Sequence, residues 1–418
     1  MDGHNGIALY GSSDDDDKRL FKACRDPELA SRILSVKNND PEAKCVFVNA
    51  LNTLEERAWT RFGQIIGGAS HFEQLAILHC RVNVAELCVG LQLNQSIKKL
   101  HLDGIGLGRE ELSSLVPFLS NNPSLKSLTL SGCNLGSAEI DLLSAALLQH
   151  SEDRCLEVLN LRNNHIGDVD LEKLAPALKR NRNKIILLNL ENNKIGLRGC
   201  TSLTKLLGSQ ECNLSRLYLN GNSIDDKAVA VLIDSLAKNT KLMTLNLGNN
   251  IGITTEGYLK ILQLVCNTSC IKGILDSNHH LNNVGMSMPE DAEALHCALG
   301  FDDANLLHAS LKINRGMNRR LSVKKVTCRR KILWSHAAGN LNIGDSSIVT
   351  GVMPCIIAWI GDYSNESNAN LIQYHDPPLP KDKIDIVRLG AIYRIVQSRP
   401  DLRNPNKHDS TNKKKMWF

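Results

Sequence analysis

The side chains that could carry out chemistry are scattered along this chain, and none has the spacing of a known site. The thirteen cysteines include no C-x-x-C pair, so neither a zinc site nor a disulfide framework is indicated. The adjacent His279 and His280 lack a second pair of metal ligands at a suitable spacing, and His71, His79 and His101 are also expected to be non-ligands. The G-x-S-x-G, Walker A, H-E-x-x-H and protein-kinase motifs are absent. We therefore expect no enzyme activity, no metal ion and no cofactor.

A repeat of 28 to 31 residues dominates the chain. Six segments follow the pattern L-x-x-L-x-L-x-x-(N/C)-x-(I/L) with a few departures, and their anchoring leucines are 28, 31, 29, 29 and 28 residues apart. Degenerate copies centre on Val46 and Leu75 upstream and on Ile274 downstream. Because side chains alternate between the two faces of a strand, each L-x-L predicts a strand with one buried face. The anchoring leucines are Leu100, Leu128, Leu159, Leu188, Leu217 and Leu245.

Each repeat continues with about a dozen residues whose apolar positions have helical spacing. Leu112 and Leu115 illustrate this spacing in the first complete repeat. Asp168, Asp225 and Thr254 stand near the starts of such stretches, and Asp and Thr are favoured residues at helix N-caps. Each repeat is therefore predicted to contain one strand and one full helix.

These repeats resemble the long leucine-rich repeats of the ribonuclease-inhibitor-like class, and the resemblance covers residues 45–285. It implies an α/β horseshoe solenoid with an inner parallel sheet and outer helices. Each repeat is expected to form one coil of the solenoid. The residues at the N/C position are expected to form a structural ladder, a row of buried side chains that satisfy backbone groups of neighbouring coils by hydrogen bonding. The predicted ladder residues are Cys133, Asn164, Asn193, Asn222 and Asn250.

The strand residues beside the leucines are expected to project into the concave face, where a horseshoe usually binds its partner. This predicted surface is polar, mixed in sign and poor in aromatic residues. Because Tyr, Trp and Arg are common interface anchors, Arg162, Arg216 and Tyr218 are the strongest candidates. The predicted partner-binding residues are His101, Asp103, Thr129, Asn160, Arg162, Asn189, Glu191, Arg216, Tyr218, Asn220 and Asn246.

Composition divides the chain into four segments. Residues 1–40 form an acidic segment, which contains the string DDDDK and is expected to be partly disordered, and residues 41–286 form the solenoid with its N-terminal cap. Residues 287–400 are predicted to form a small helical cap or appendage, and residues 401–418 a disordered basic tail. The net charge is +5, yet residues 304–344 hold nine Lys and Arg and no Asp or Glu. This C-terminal part resembles the tails of uncharacterised microalgal leucine-rich-repeat proteins, which implies no function.

The repeat pattern favours a non-enzymatic scaffold that binds an unidentified protein on the concave face. A first alternative comes from the similar repeat length of Ran GTPase-activating proteins, which implies a small GTPase as the partner. Those proteins usually carry a long acidic C-terminal tail, whereas the tail here is basic. A second alternative is nucleic-acid or anionic-membrane binding through the basic segment 312–331. A solvated helix face is the simpler interpretation of that segment, so neither partner is expected.

The sequence also carries expectations about location. No run of eighteen apolar residues could span a bilayer, and the acidic N-terminus lacks the basic and apolar regions of a signal peptide. We therefore expect a cytoplasmic monomer, with the nucleus as the alternative location.

Overall fold

The computed structural model describes residues 13–285 apart from short gaps, together with four residues further on. The gaps are residues 25, 51–53, 55–57, 150–155, 181–184, 210–211, 268, 270–272 and 274–275, and the further residues are Leu307, Ser310, Leu311 and Asn314. The chain divides into two compact units. One comprises Met1–Lys260 with Asn283–Ala294, and the other comprises Ile261–Asn282 with Leu295–Phe418.

After two successive helices, strands and helices alternate along the described residues, as the repeat predicts. The strands are β1 (Cys45–Asn49), β2 (Gln74–Leu78), β3 (Lys99–Asp103), β4 (Ser127–Ser131), β5 (Val158–Asn160), β6 (Leu187–Asn189), β7 (Arg216–Tyr218) and β8 (Thr244–Asn246). The helices are α1 (Ser13–Ala23), α2 (Pro27–Lys37), α3 (Ala58–Gly68), α4 (Val84–Leu91), α5 (Arg109–Asn121), α6 (Ser137–Leu148), α7 (Asp168–Arg180), α8 (Leu197–Leu207), α9 (Asp226–Leu236) and α10 (Thr255–Val265).

The eight strands form one parallel sheet whose order follows the chain from β1 to β8. The register places the anchoring leucines side by side, so that Leu128 pairs with Leu159, and Leu159 with Leu188. The degenerate upstream copies join the same row, since Val46 pairs with Leu75 and Leu75 with Leu100. All of these side chains are fully buried. The predicted leucine-rich-repeat α/β solenoid is therefore confirmed.

The downstream end of the array departs from the expected spacing. Ile274 lies outside the described residues, and Gly273 and Asp276 on either side of it are helical. The pairing that follows β8 is a parallel bridge between Thr244 and Asn283. It places Val284 in register with Leu245, 284 − 245 = 39 residues further along. This repeat is about ten residues longer than the others. A search of the sequence at the regular spacing therefore does not find Val284 as its anchoring residue.

Two helices occupy the part of the acidic N-terminal segment that the structure describes. Asp17, the last aspartate of the DDDDK string, is buried, and its carboxylate forms ion pairs with Lys37 of α2 and Arg61 of α3. The Arg61 guanidinium, followed by Lys37, lowers the pKa of Asp17 below its ordinary value despite the opposing effect of burial. These ion pairs join α1 to the first coil of the solenoid.

Some helices of the array are capped by an aspartate from the preceding coil. Asp168 was predicted to cap its own helix, but its Oδ1 accepts hydrogen bonds from the amides of Gly196, at 2.6 Å, and Gly199, at 2.9 Å, at the start of α8. Asp225 behaves as predicted, because its Oδ1 accepts a hydrogen bond from the Ala228 amide within α9, at 2.9 Å. Neighbouring coils are thus linked on the helical side as well as through the sheet.

The same cross-coil cap recurs two coils later. Asp226 Oδ1 accepts hydrogen bonds from the amides of Thr254, at 2.8 Å, and Gly257, at 2.9 Å, and Asp226 Oδ2 accepts one from the Thr254 hydroxyl, at 2.6 Å. Partial burial of this carboxylate opposes ionisation, but the three hydrogen bonds outweigh it and lower the pKa of Asp226.

Replacement of Asp226 by alanine is expected to lower the free energy of unfolding at pH 7 by about 1–2 kcal/mol, as for other N-caps. Because the pKa is lower in the folded state, this stabilisation is present above the ordinary value of 3.8 and is lost as the pH falls through the folded-state pKa. Urea denaturation at pH 7 and at about pH 3 should therefore show the largest difference from the parent chain at pH 7. Asp234→Ala, at an exposed position of the same helix, is the control and should change stability little. Equal losses from the two variants at pH 7 would contradict this role.

Helices α3 and α4 approach each other closely at three glycines, Gly63 and Gly67 on α3 and Gly90 on α4. A methyl group at Gly63 would lie 2.3 Å from the Leu87 carbonyl oxygen, and one at Gly90 would lie 2.2 Å from the carbonyl carbon of Gly63. Real side chains do not occupy such distances, so only glycine allows these two backbones to come this close.

Candidate protein-binding face

The strand residues that alternate with the buried leucines form rows across the sheet, and we call this surface the open face. Both its first row and its middle row, which lies two residues further along each strand, continue across the sheet, and we follow them here from β3 to β8. The first row is Lys99, Ser127, Val158, Leu187, Arg216 and Thr244, and the middle row is His101, Thr129, Asn160, Asn189, Tyr218 and Asn246. Asp103, Arg162, Glu191 and Asn220 come two residues further again. The structure thus places all eleven predicted partner-binding residues on one surface of the described chain.

These residues differ in how much surface they offer a partner. Arg162 and Arg216 are exposed and Tyr218 is half-buried. Thr129 and Asn220 are buried, at 7% and 8% exposure. The open face therefore presents its larger side chains on β3, at Lys99, and around β5 to β7, and the small polar residues contribute less surface.

In three asparagines of the middle row, the side-chain oxygen is already hydrogen-bonded within the chain. The Oδ1 atoms of Asn160, Asn189 and Asn246 each accept a hydrogen bond from the backbone amide two residues further on, at 3.1, 2.9 and 3.1 Å. Such bonds close the turn that ends a strand. A partner could therefore use mainly the Nδ2 donors of these residues.

The two arginines of the open face differ in whether they form an ion pair within the described chain. Arg162 forms an ion pair with Glu191, with 3.4 Å between Nη2 and Oε1. Arg216 forms no ion pair within the described part of the chain. Burial and the nearby Lys99 lower the pKa of His101, with Asp103 only partly opposing them, so His101 is neutral at pH 7. Arg216 is consequently the better placed of the two arginines to bind an acidic group.

Behind the strand ends, the side chain of Asn164 is hydrogen-bonded to two successive coils. Its Nδ2 donates to the carbonyl oxygens of Leu130, at 2.8 Å, and Leu161, at 2.9 Å. Its Oδ1 accepts hydrogen bonds from the amides of Cys133, at 3.1 Å, and Leu135, at 2.9 Å. Asn164 therefore satisfies backbone groups that the strands leave unpaired where the chain turns.

The other predicted ladder residues make equivalent contacts. Asn193, Asn222 and Asn250 each donate to a carbonyl oxygen of the preceding coil, at 3.1, 2.9 and 3.0 Å. Cys133 Sγ donates to the Leu102 carbonyl oxygen at 3.1 Å, and burial raises the pKa of this thiol to about 12. Cys133 is therefore protonated at neutral pH and suited to packing rather than to nucleophilic chemistry.

A second set of asparagines, where helices lead into strands, was not predicted. Asn94 Nδ2 donates to the Ile66 carbonyl oxygen at 2.7 Å, and Asn239 Nδ2 donates to that of Leu207 at 2.8 Å. Asn122 Nδ2 donates to the Asn94 carbonyl oxygen at 2.9 Å. A signal was present, because each of these asparagines stands three residues before the apolar residue that leads into a strand.

The remaining predictions concern metal binding, membrane spans and the C-terminal regions of the chain. In the part of the chain that the structure describes, no cluster of three or more His, Cys, Asp and Glu could hold a metal ion. None of the helices described is both long and apolar enough to cross a bilayer. The appendage (287–400), the basic segment (312–331) and the tail (401–418) lie outside the described residues, except for Leu307, Ser310, Leu311 and Asn314.

Comparison with known proteins identifies the repeat. A family model described as a leucine-rich repeat matches residues 121–138 and 152–175. The ribonuclease inhibitor of Sus scrofa is 30% identical over 180 residues, which cover 41% of this chain and 38% of that protein. The protein phosphatase 1 regulatory subunit 37 homolog of Caenorhabditis briggsae is 29% identical over 187 residues, covering 44% of this chain and 17% of that protein.

A third relative is a multidomain protein. The human NACHT, LRR and PYD domains-containing protein 3 is 28% identical over 149 residues, which cover 35% of this chain and 14% of that protein. The matches to these three relatives thus span between 14% and 38% of the relatives' own lengths. Each alignment therefore covers less than two fifths of the relative.

Proposed function

Because the chain is a leucine-rich-repeat protein of the ribonuclease-inhibitor-like class, we propose that it is a non-enzymatic scaffold that binds a protein partner on its open face. The observation that carries this proposal is the continuous open face of the eight-stranded sheet, which offers exposed and half-buried side chains from many consecutive strands. A surface repeated across strands can contact a large partner at many points, as solenoid proteins do. We propose a cytoplasmic or nuclear location for this activity.

Two relatives support a binding role through their names. One is an inhibitor of a ribonuclease, and another is a regulatory subunit of a phosphatase. In both cases the name describes a protein that acts on another protein rather than on a small substrate. Together with the absence of catalytic motifs from the sequence, this favours binding over catalysis.

Within the open face, we propose Arg216 and Tyr218 as the principal anchors. They lie on the same strand, one in the first row and one in the middle row. Arg216 is exposed and unpaired among the described residues, and Tyr218 is half-buried, so its ring is held in place while part of it stays accessible. Arg and Tyr anchors of this kind account for much of the energy of protein interfaces.

The double variant Arg216→Glu, Tyr218→Ala is expected to lose at least about tenfold in affinity for the natural partner, because it removes two anchors. The partner would be identified by affinity capture on the intact chain, purified, and titrated against each variant by calorimetry. Lys205→Glu, Leu197→Ala on α8 is the matched control, since it makes the same kind of change at exposed helical positions. Unchanged affinity in the open-face variant would contradict the proposal.

A small GTPase remains a specific class of partner to examine. The scaffold proposal expects that the chain does not accelerate GTP hydrolysis by small GTPases of the Ran type. Acceleration in a hydrolysis assay would replace the scaffold with the GTPase-activating alternative.

A further inference from the structure

The first row of the open face has an uneven pattern of charge. Lys99 lies on β3 and Arg216 on β7, and both are exposed. Between them, in register, come Ser127, Val158 and Leu187, and the last two are only half-buried. The row therefore presents an apolar pair with a cation on either side.

Two acidic groups close to this row, Glu73 and Glu157, form ion pairs with lysines outside the row. Glu73 Oε1 lies 2.8 Å from Lys98 Nζ, and Glu157 Oε1 lies 3.3 Å from Lys126 Nζ. Neither Lys99 nor Arg216 takes part in an ion pair among the described residues. Neither flanking residue is therefore held in an ion pair within the described part of the chain.

We propose that the first row binds an acidic, partly apolar segment of the partner protein, which crosses the strands in an extended conformation. This inference rests on the proposed function and adds the chemistry of the partner. Carboxylates of the segment would pair with Lys99 and Arg216, and an apolar side chain between them would cover Val158 and Leu187. Without the apolar pair, the two cations would suit any polyanion, so Val158 and Leu187 are what favour a protein segment.

The geometry specifies the spacing of the acidic residues. Four strand intervals separate Lys99 from Arg216, and at about 4.8 Å per interval the two positions are about 19 Å apart. An extended chain rises by about 3.3 Å per residue, so its two acidic residues should stand about six positions apart. Because side chains alternate along an extended chain, residues at even offsets share one face. Leu187 is three strand intervals from Lys99, so an apolar residue four positions after the acid that pairs with Lys99, about 13 Å along the chain, would lie closest to Leu187.

The experiment uses a phage-displayed library of random 16-residue peptides, selected on the intact chain and followed by fluorescence-anisotropy titration of the selected sequences. We expect selected peptides to carry two acidic residues about six positions apart with an apolar residue between them. Their affinity should fall at least about tenfold in Lys99→Glu, Arg216→Glu, because two charge pairs become repulsive. A peptide with both acids changed to lysine should bind the double variant better than the parent chain.

The control variant is Lys205→Glu, Lys227→Glu, which makes the same change in net charge at exposed helical positions. It should leave the affinity unchanged. An equal loss in this control, or equally tight binding of plain poly-glutamate, would overturn the inference, since either result would indicate non-specific attraction to charge.

Two further outcomes separate this inference from the proposed function. Selected peptides that are neutral or basic, but that lose affinity in Arg216→Glu, Tyr218→Ala, would overturn the inference and leave the open face as the binding surface. Failure to select any peptide whose binding depends on open-face residues would count against both.

Discussion

Replacement of Asn164 by alanine is expected to lower the free energy of unfolding by about 3–5 kcal/mol. The change leaves the carbonyl oxygens of Leu130 and Leu161 and the amides of Cys133 and Leu135 without their side-chain partner. Each buried polar group left unsatisfied costs about 1–3 kcal/mol. Water cannot readily replace the amide, because Asn164 is only 4% exposed.

Urea denaturation followed by circular dichroism would measure this loss. Asn121→Ala, which replaces an exposed asparagine at the end of α5, is the matched control. Exposed substitutions of this kind usually change stability by less than about 0.5 kcal/mol. Similar losses in the two variants would show that the ladder contacts contribute nothing particular to stability.

Replacement of Gly90 by alanine is expected to destabilise the fold by about 1–3 kcal/mol, as in other overpacked sites. The added methyl group would lie 2.2 Å from the Gly63 carbonyl carbon and 2.3 Å from the Gln64 amide nitrogen. Both atoms belong to the backbone of α3, so no rotation of a side chain can relieve the overlap. The two helices would have to move apart, which would loosen the apolar core below them.

Gly68→Ala is the control for this second prediction, because no atom lies within 4 Å of the position that its methyl group would take. Alanine has a higher helix propensity than glycine by about 1 kcal/mol, so this variant should be neutral or slightly more stable. Thermal unfolding of both variants and of the parent chain would measure these differences in stability. A Gly90→Ala protein as stable as the parent would show that α3 and α4 can separate without cost.

The sheet could be predicted from the sequence because its signal is local and periodic. Each L-x-L places two leucines on one face of a strand, and the near-constant spacing brings Leu128, Leu159 and Leu188 into register. The positions of the predicted partner-binding residues follow from the same alternation. The repeat therefore contains enough information to place the open face.

Features that depend on contacts between coils were harder to predict. Asp168 stands at the start of α7, yet the amides that it satisfies belong to the next coil. The burial of Asp17 depends on Lys37 and Arg61, which lie on other helices and form no motif with it. Lys37 and Arg61 lie 20 and 44 residues from Asp17, so the period of the repeat does not reveal them. Gly196 and Gly199 lie 28 and 31 residues from Asp168, but that spacing does not show whether an aspartate caps its own helix or the next one.

The accessible part of the open face was also only partly predictable. A strand pattern gives the side to which a residue points, but not how closely its neighbours cover it. Thr129 and Asn220 are covered, whereas Val158 and Leu187 retain accessible surface. The apolar pair between Lys99 and Arg216 was therefore missed as a distinct feature, although each of its residues stood on the predicted surface.

The cross-coil caps have a consequence for how this array can change length during evolution. Asp168 and Asp226 are 226 − 168 = 58 residues apart, and so are Gly199 and Gly257, whose amides they bind. The intervening helix α9 is capped from within by Asp225. Loss of the coil that carries α9 would place the start of α10, which needs a donated carboxylate, next to the coil of α8. There Leu197 stands at the position that Asp168 and Asp226 occupy in α7 and α9. Gene duplications and deletions in this region should therefore be tolerated best when they add or remove two coils together.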